Sequence, residues 1–205
     1  KIFALALLLC SYFIYNSVGK IDEDSIGKLS LVCNVCKQIR ASAEEKDTEE
    51  GETKKRKRDD ESSADALSEY FPRFLWLLRD FSLMLQDSEG ASITSKQYLE
   101  SALADKAHTR KEGDVQKSID EKNQLRRMLR KLFVQRDCAT LMRPCVEESQ
   151  LQSLDALGDS ALRPEFLQQM QALRRKILLD APTKLALENR PISGRGLVQL
   201  CRSYV

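Results

Sequence analysis

Three short apolar runs, each followed by a stretch with helical spacing, limit what this chain can fold into. They are Ile2–Ile14 (IFALALLLCSYFI), Phe74–Leu78 and Cys138–Met142. Each is long enough for a strand and shorter than the ~20 apolar residues of a membrane-spanning helix. Strands that alternate with helices pair in parallel, because the crossovers lay helices over the faces of the sheet. The expected fold class is α/β: three layers, a mostly parallel sheet with helices on both faces. The opening run reads as a fully buried central strand. A signal sequence and a membrane span are its alternatives, since both also use an apolar stretch near a positive residue.

The helical segments carry their own start signals. Asp22 is placed to cap a helix, with acids in the first turn and Ile21 able to staple onto Ile26. From there Ile26, Leu29, Val32, Cys33, Cys36 and Ile39 recur at helical spacing. Thr94 and Gln97 fit a capping box, with Ile93 and Tyr98 as the staple. The stretch His108–Lys117 reads as a polar loop, and Leu125, Met128, Leu129, Leu132 and Phe133 then form one helix face. Leu151, Leu154 and Leu157 suggest a turn or two. Pro164 opens a helix carrying Phe166, Leu167, Met170, Leu173, Ile177 and Leu178. A loop with Pro182, Pro191 and Gly194 leads to a last helix over Gly196–Val205.

Residues 43–66 interrupt this order. They hold six basic and ten acidic residues and no bulky apolar one, so they read as a disordered charged insertion. Lys54–Arg58 (KKRKR) inside it resembles a nuclear-import or polyanion patch, but flanking acids fit a plain solvated charge run equally well. The whole chain has 33 Lys and Arg against 31 Asp and Glu, a net charge of +2, which excludes a composition built for nucleic acid. His108 is its single histidine, so histidine triads and His-rich metal sites are nearly excluded. Cys33-x-x-Cys36 has redox or zinc spacing but no second pair at zinc-ribbon distance. Six cysteines in 205 residues, mostly in apolar settings, suit free thiols in a reducing, cytoplasmic setting.

In open parallel sheets, ligands bind at the carboxyl ends of the strands. Those ends are Tyr15–Ser17, Leu78–Phe81 and Met142–Val146. Asp80, just past the second run, is placed to accept hydrogen bonds from a base edge. Guanine offers an N–H and an amino group side by side, a pair one carboxylate can accept together. Arg79 beside it can stack its planar guanidinium on a ring or steady the carboxylate. An exposed Arg-Asp ion pair would give the same dipeptide.

Phe74–Leu83 (FLWLLRDFSL) resembles the base-recognition motif of guanylate-binding proteins, a family of large dynamin-related GTPases. Four other stretches resemble the family in the same order: Ile2–Ser17, the strand after its D-x-x-G switch; Arg136–Pro144 (RDCATLMRP), the strand leading to its guanine cap; and Leu162–Met170 (LRPEFLQQM) with Gly194–Val205 (GRGLVQLCRSYV), its late helices. The resemblance spans nearly the whole chain apart from residues 43–66. It implies a P-loop-GTPase-like domain covering residues 1–205, GTP or GDP as ligand, and hydrolysis of GTP by the complete protein with Mg2+. It implies that Asp80 reads guanine with Arg79 in support, and that Arg143, Pro144, Cys145 and Val146 enter the cap over the base. It also implies a homodimer through the GTPase heads and membrane association of the complete protein, with no nucleic-acid partner. The stretch Glu147–Gln150 (EESQ) departs from the basic residues the family often carries in the cap.

No G-x-x-x-x-G-K-[ST] string occurs, and Gly19-Lys20 is followed by Ile21. That string supplies the amides and lysine that hold phosphates. The expectation is the second part of a GTPase domain, with no catalytic residue or metal ligand of its own and no hydrolysis alone. A catalytically inactive, nucleotide-free interaction module of the same fold is the alternative.

Overall fold

The computed structural model describes residues 2–32, 34, 68, 71–107, 114–185 and 190–203. Residues 43–66, the Cys33-x-x-Cys36 pair and His108 lie outside the described residues. In chain order the elements are α1 (Ile2–Leu9), β1 (Tyr12–Val18), α2 (Glu23–Lys28), β2 (Arg73–Arg79), α3 (Ser95–Ala102), α4 (Asp114–Leu132), β3 (Arg136–Thr140), a short α5 (Glu148–Leu151), α6 (Pro164–Asp180) and α7 (Gly194–Ser203). Two single 3-10 turns, Leu154–Ala156 and Asp159–Ala161, link α5 to α6. The strands form one parallel sheet in the order β1-β2-β3. Tyr12 lies opposite Arg73 and Val18 opposite Arg79; Phe74 lies opposite Arg136 and Leu78 opposite Thr140.

The α/β expectation holds, with one correction at the start. Residues 2–9 are helix, and the strand begins only at Tyr12. A continuous apolar run does not distinguish a buried helix from a buried strand by period. Propensity does: Ala4 to Leu9 are Ala and Leu, strong helix formers, whereas Tyr12-Phe13-Ile14-Tyr15 is aromatic and β-branched. Nor is β1 central. It lies at an edge of the three described strands, and Ile14 and Val18 are 37% and 58% exposed. Three further boundaries move: α4 already starts at Asp114, inside the stretch read as a polar loop; β3 covers Arg136–Thr140 rather than Cys138–Met142; and α7 starts at Gly194.

Elsewhere the local signals form as read. Asp22 accepts the Ser25 N–H at 2.8 Å and caps α2. Thr94 accepts from the Gln97 N–H while the Gln97 side chain returns to the Thr94 N–H, completing the box that starts α3. Pro164 occupies the first turn of α6, where a missing N–H costs nothing.

Alternation along β2 builds two core layers. Phe74, Trp76 and Leu78 enter the larger one with Leu7 of α1, Ile26 of α2, Leu99 of α3 and Leu129 of α4. Leu75 and Leu77 enter the smaller one, closed by Leu141 and by Leu173 of α6. Cys138 of β3 belongs to the first, and burial pushes its thiol up to about 12. A polar clamp flanks this layer. The Arg126 guanidinium, 1% exposed, and the Lys106 ammonium both pair with Glu23. Burial pushes Glu23 up, but bonds to Lys106 and Arg126 and their charges outweigh it and hold its carboxyl below the ordinary 4.5. Asn123 bonds both the N–H and the C=O of Lys106 at 2.9 Å, fixing the loop after α3.

Candidate functional site

The carboxyl ends of all three strands meet at one edge, and main-chain hydrogen bonds lock them together. The Gly19 N–H donates to the Arg79 carbonyl at 2.7 Å, which joins the end of β1 to that of β2. Gly19 itself takes a positive φ of 74°, the backbone region glycine enters without steric cost. The Leu141 N–H donates to Leu78 at 2.8 Å, and the Phe81 N–H returns to the Leu141 carbonyl at 2.9 Å. These two bonds bracket Asp80.

Held in this way, Asp80 adopts φ 54°, and among the described residues no other non-glycine residue has a positive φ. Left-handed backbone costs an L-residue roughly 1–2 kcal/mol, less for Asp, whose short side chain tolerates it. The turn lifts the Asp80 side chain out of the sheet into solvent. Among the described residues no side chain pairs with its carboxylate, so it keeps its full capacity to accept from a ligand. Arg79 is exposed beside it, and its Nε donates to the Asn16 Oδ1 of β1 at 2.8 Å. That bond fixes the direction of the guanidinium while leaving its terminal nitrogens and flat face accessible.

The segment after β3 is anchored from α6. The Met142 N–H donates to the Gln169 Oε1 at 2.8 Å, and the Arg163 N–H donates to the Pro144 carbonyl at 2.8 Å. Beyond these ties the side chains diverge. Cys145 is buried as a free thiol, Val146 is 71% exposed, and Arg143 points outward to an exposed ion pair with Glu148 at 3.6 Å. The structure thus ties Leu141, just before this segment, to the Asp80 turn. It places the Arg143 and Val146 side chains in solvent, with no hydrogen bond or ion pair from them to Asp80 among the described residues. Among the described residues no three carboxylate, cysteine or histidine side chains gather into a cluster.

Two contributors carried no assignment from sequence. Asn16 falls within Tyr15–Ser17 at a strand end, and an amide beside the Arg-Asp turn was the available signal. Gln169 had none, since only the packing of α6 on β3 brings it to Met142.

A parallel sheet with its strand ends gathered at one edge and helices packed on it belongs to the class of open α/β folds, which bind ligands beyond the carboxyl ends of their strands. The family described as "Guanylate-binding protein, N-terminal domain" matches residues 1–185. Human guanylate-binding protein 1 is 37% identical over 205 residues, covering the whole chain and 32% of that protein. Guanylate-binding protein 1 of Chlorocebus aethiops is 35% identical over 208 residues, and guanylate-binding protein 2 of Mus musculus 33% over 207, each matched over 31% of its length. The chain belongs to the guanylate-binding protein family. It spans about a third of the length of the curated relatives it matches.

Proposed function

We propose that this chain is the guanine-reading portion of a GTP-binding domain, and that the protein it serves hydrolyses GTP. The observation that carries this is the Asp80 turn. A carboxylate with no side-chain partner among the described residues, in a left-handed conformation braced by hydrogen bonds on both sides, stands at the carboxyl end of β2 beside a guanidinium steadied by Asn16. Its two oxygens accept the ring N–H and the amino group of guanine; adenine presents no such pair on one edge. Arg79 lies against the ring or the carboxylate, and the Arg143–Val146 segment closes over the base. Hydrolysis and its Mg2+ call on the phosphate-holding G-x-x-x-x-G-K-[ST] string, which does not occur in these 205 residues.

The test is a titration of the chain and of Asp80→Asn with GTP and with ATP. The reading expects GTP affinity to fall about 10- to 100-fold, the weight of hydrogen bonds to a charged acceptor, with preference over ATP largely lost. Unchanged affinity and unchanged selectivity would remove Asp80 from the base site. A chain that binds neither nucleotide, with or without Asp80, favours the interaction-module reading instead.

A further inference from the structure

We propose that Gln169 on α6 is a positioning residue for the guanine cap; this rests on the guanine reading of the Asp80 edge. The Met142 N–H lies two residues past the end of β3, where the chain enters Arg143–Val146. It points away from β2, because β2 is already matched to Leu141 through the Leu78 carbonyl. The half-buried Gln169 side chain meets it at 2.8 Å. On the open side of this bond lies a cavity of about 400 Å³, bordered by Phe81, Met84, Ile93, Thr140, Met142 and Gln169. The segment is pinned at two points only a few residues apart, both supplied by one helix and its lead-in: Gln169 at Met142, and the Arg163 N–H at the Pro144 carbonyl. The second pin is main chain and does not depend on the side chain at position 169. The first is a single side chain.

Losing it frees the residue whose carbonyl neighbour, Leu141, also receives the Phe81 N–H that braces Asp80. The cap and the base-reading turn thus share one support, and Gln169 sets both. A glutamate at this position keeps an acceptor oxygen at the same reach, whereas leucine keeps the volume and removes the acceptor.

The experiment follows amide hydrogen exchange in the ligand-free 205-residue chain, in Gln169→Leu and in Gln169→Glu. The expected result is exchange at Met142–Val146 faster by about fivefold or more in Gln169→Leu, the size set by one net hydrogen bond. Exchange at Trp76 and Leu77 stays unchanged, and Gln169→Glu returns to the parent pattern. Guanosine monophosphate affinity falls about five- to tenfold in Gln169→Leu and within twofold of the parent in Gln169→Glu. Equal exchange in parent and Gln169→Leu overturns the inference, as does a Gln169→Glu chain as loose as Gln169→Leu. If Gln169→Leu does not fold, the parent and Gln169→Glu decide: rapid exchange at the Met142 amide in either overturns the inference, and protection in both supports it. The exchange readout needs no ligand, so failure of guanosine monophosphate to bind the parent would sink the guanine reading without touching the exchange result.

Discussion

The two faces of the sheet are built on different terms. On one, Phe74 and Trp76 stack among Phe13, Tyr15 and Phe133 under α1, α2, α3 and α4; Trp76 meets Tyr15 edge-on at 5.0 Å and its Nε1 donates to the Ser17 hydroxyl at 2.9 Å. On the other, among the described residues, Leu75, Leu77 and Leu141 meet a single helix, α6, and β1 leaves Ile14 and Val18 exposed. That second face is held as much by polar ties as by packing: Gln169 to Met142 at one end, Lys176 to Asp137 midway, and Arg73 to the Asp180 carbonyl at 2.7 Å at the other. Burial scales with apolar area, so the aromatic face should carry most of the folding free energy, while the α6 face trades packing for precise placement of the strand ends.

The sharpest way to break this contrast is to empty each face in turn. Trp76→Ala should cost about 3–5 kcal/mol, enough to unfold a marginal domain, whereas Leu173→Ala, on the smaller layer, should cost about 2 kcal/mol. Urea melts of the two variants check this, and equal losses would contradict the asymmetry. Next in size is the clamp beside the aromatic face. Arg126→Ala removes a fully buried cation but leaves Glu23, which water reaches, so the loss should be about 2 kcal/mol rather than the 3–5 kcal/mol of a wholly buried pair. The same clamp gives the pH dependence its sign. Glu23 has a lowered folded value, so its contribution is present above its ordinary value of 4.5 and fades as pH falls through the folded one. Acid melts of Glu23→Gln should therefore converge with the parent at low pH and lie below it near neutrality. The smallest effect belongs to the α6 face: Lys176→Ala breaks a partly exposed pair with Asp137 and should cost about 0.5 kcal/mol by the same melts.

How far the sequence could be read differs along the same lines. β2, β3, the Thr94 box and the start at Pro164 were legible because each depends on neighbours within a few residues. The opening run was not, because its apolar period is silent between helix and strand; weighing Ala-Leu against aromatic content would have divided it at Ser11. At the site, the Arg79-Asp80 dipeptide and its strand-end position were visible, but the left-handed turn was not, since it is imposed by bonds to Leu141, sixty residues on. Asn16 and Gln169 are further cases. Their partners, Arg79 and Met142, are chosen by strand register and by the docking of α6, which no local pattern records.

The central claim is that Asp80 reads the guanine edge, and exchanging the base tests it most directly. Xanthine carries a carbonyl oxygen where guanine carries its amino group, while an asparagine replaces one carboxylate oxygen of Asp80 by an N–H donor. The measurement is the affinity of the chain and of Asp80→Asn for guanosine and xanthosine monophosphates, followed by backbone amide shifts. The account predicts that the parent favours guanosine, that Asp80→Asn reverses the preference to xanthosine, and that the shifts centre on Asn16, Phe81 and Met142–Val146. The same preference in both chains, or shifts confined to residues away from this edge, would contradict it.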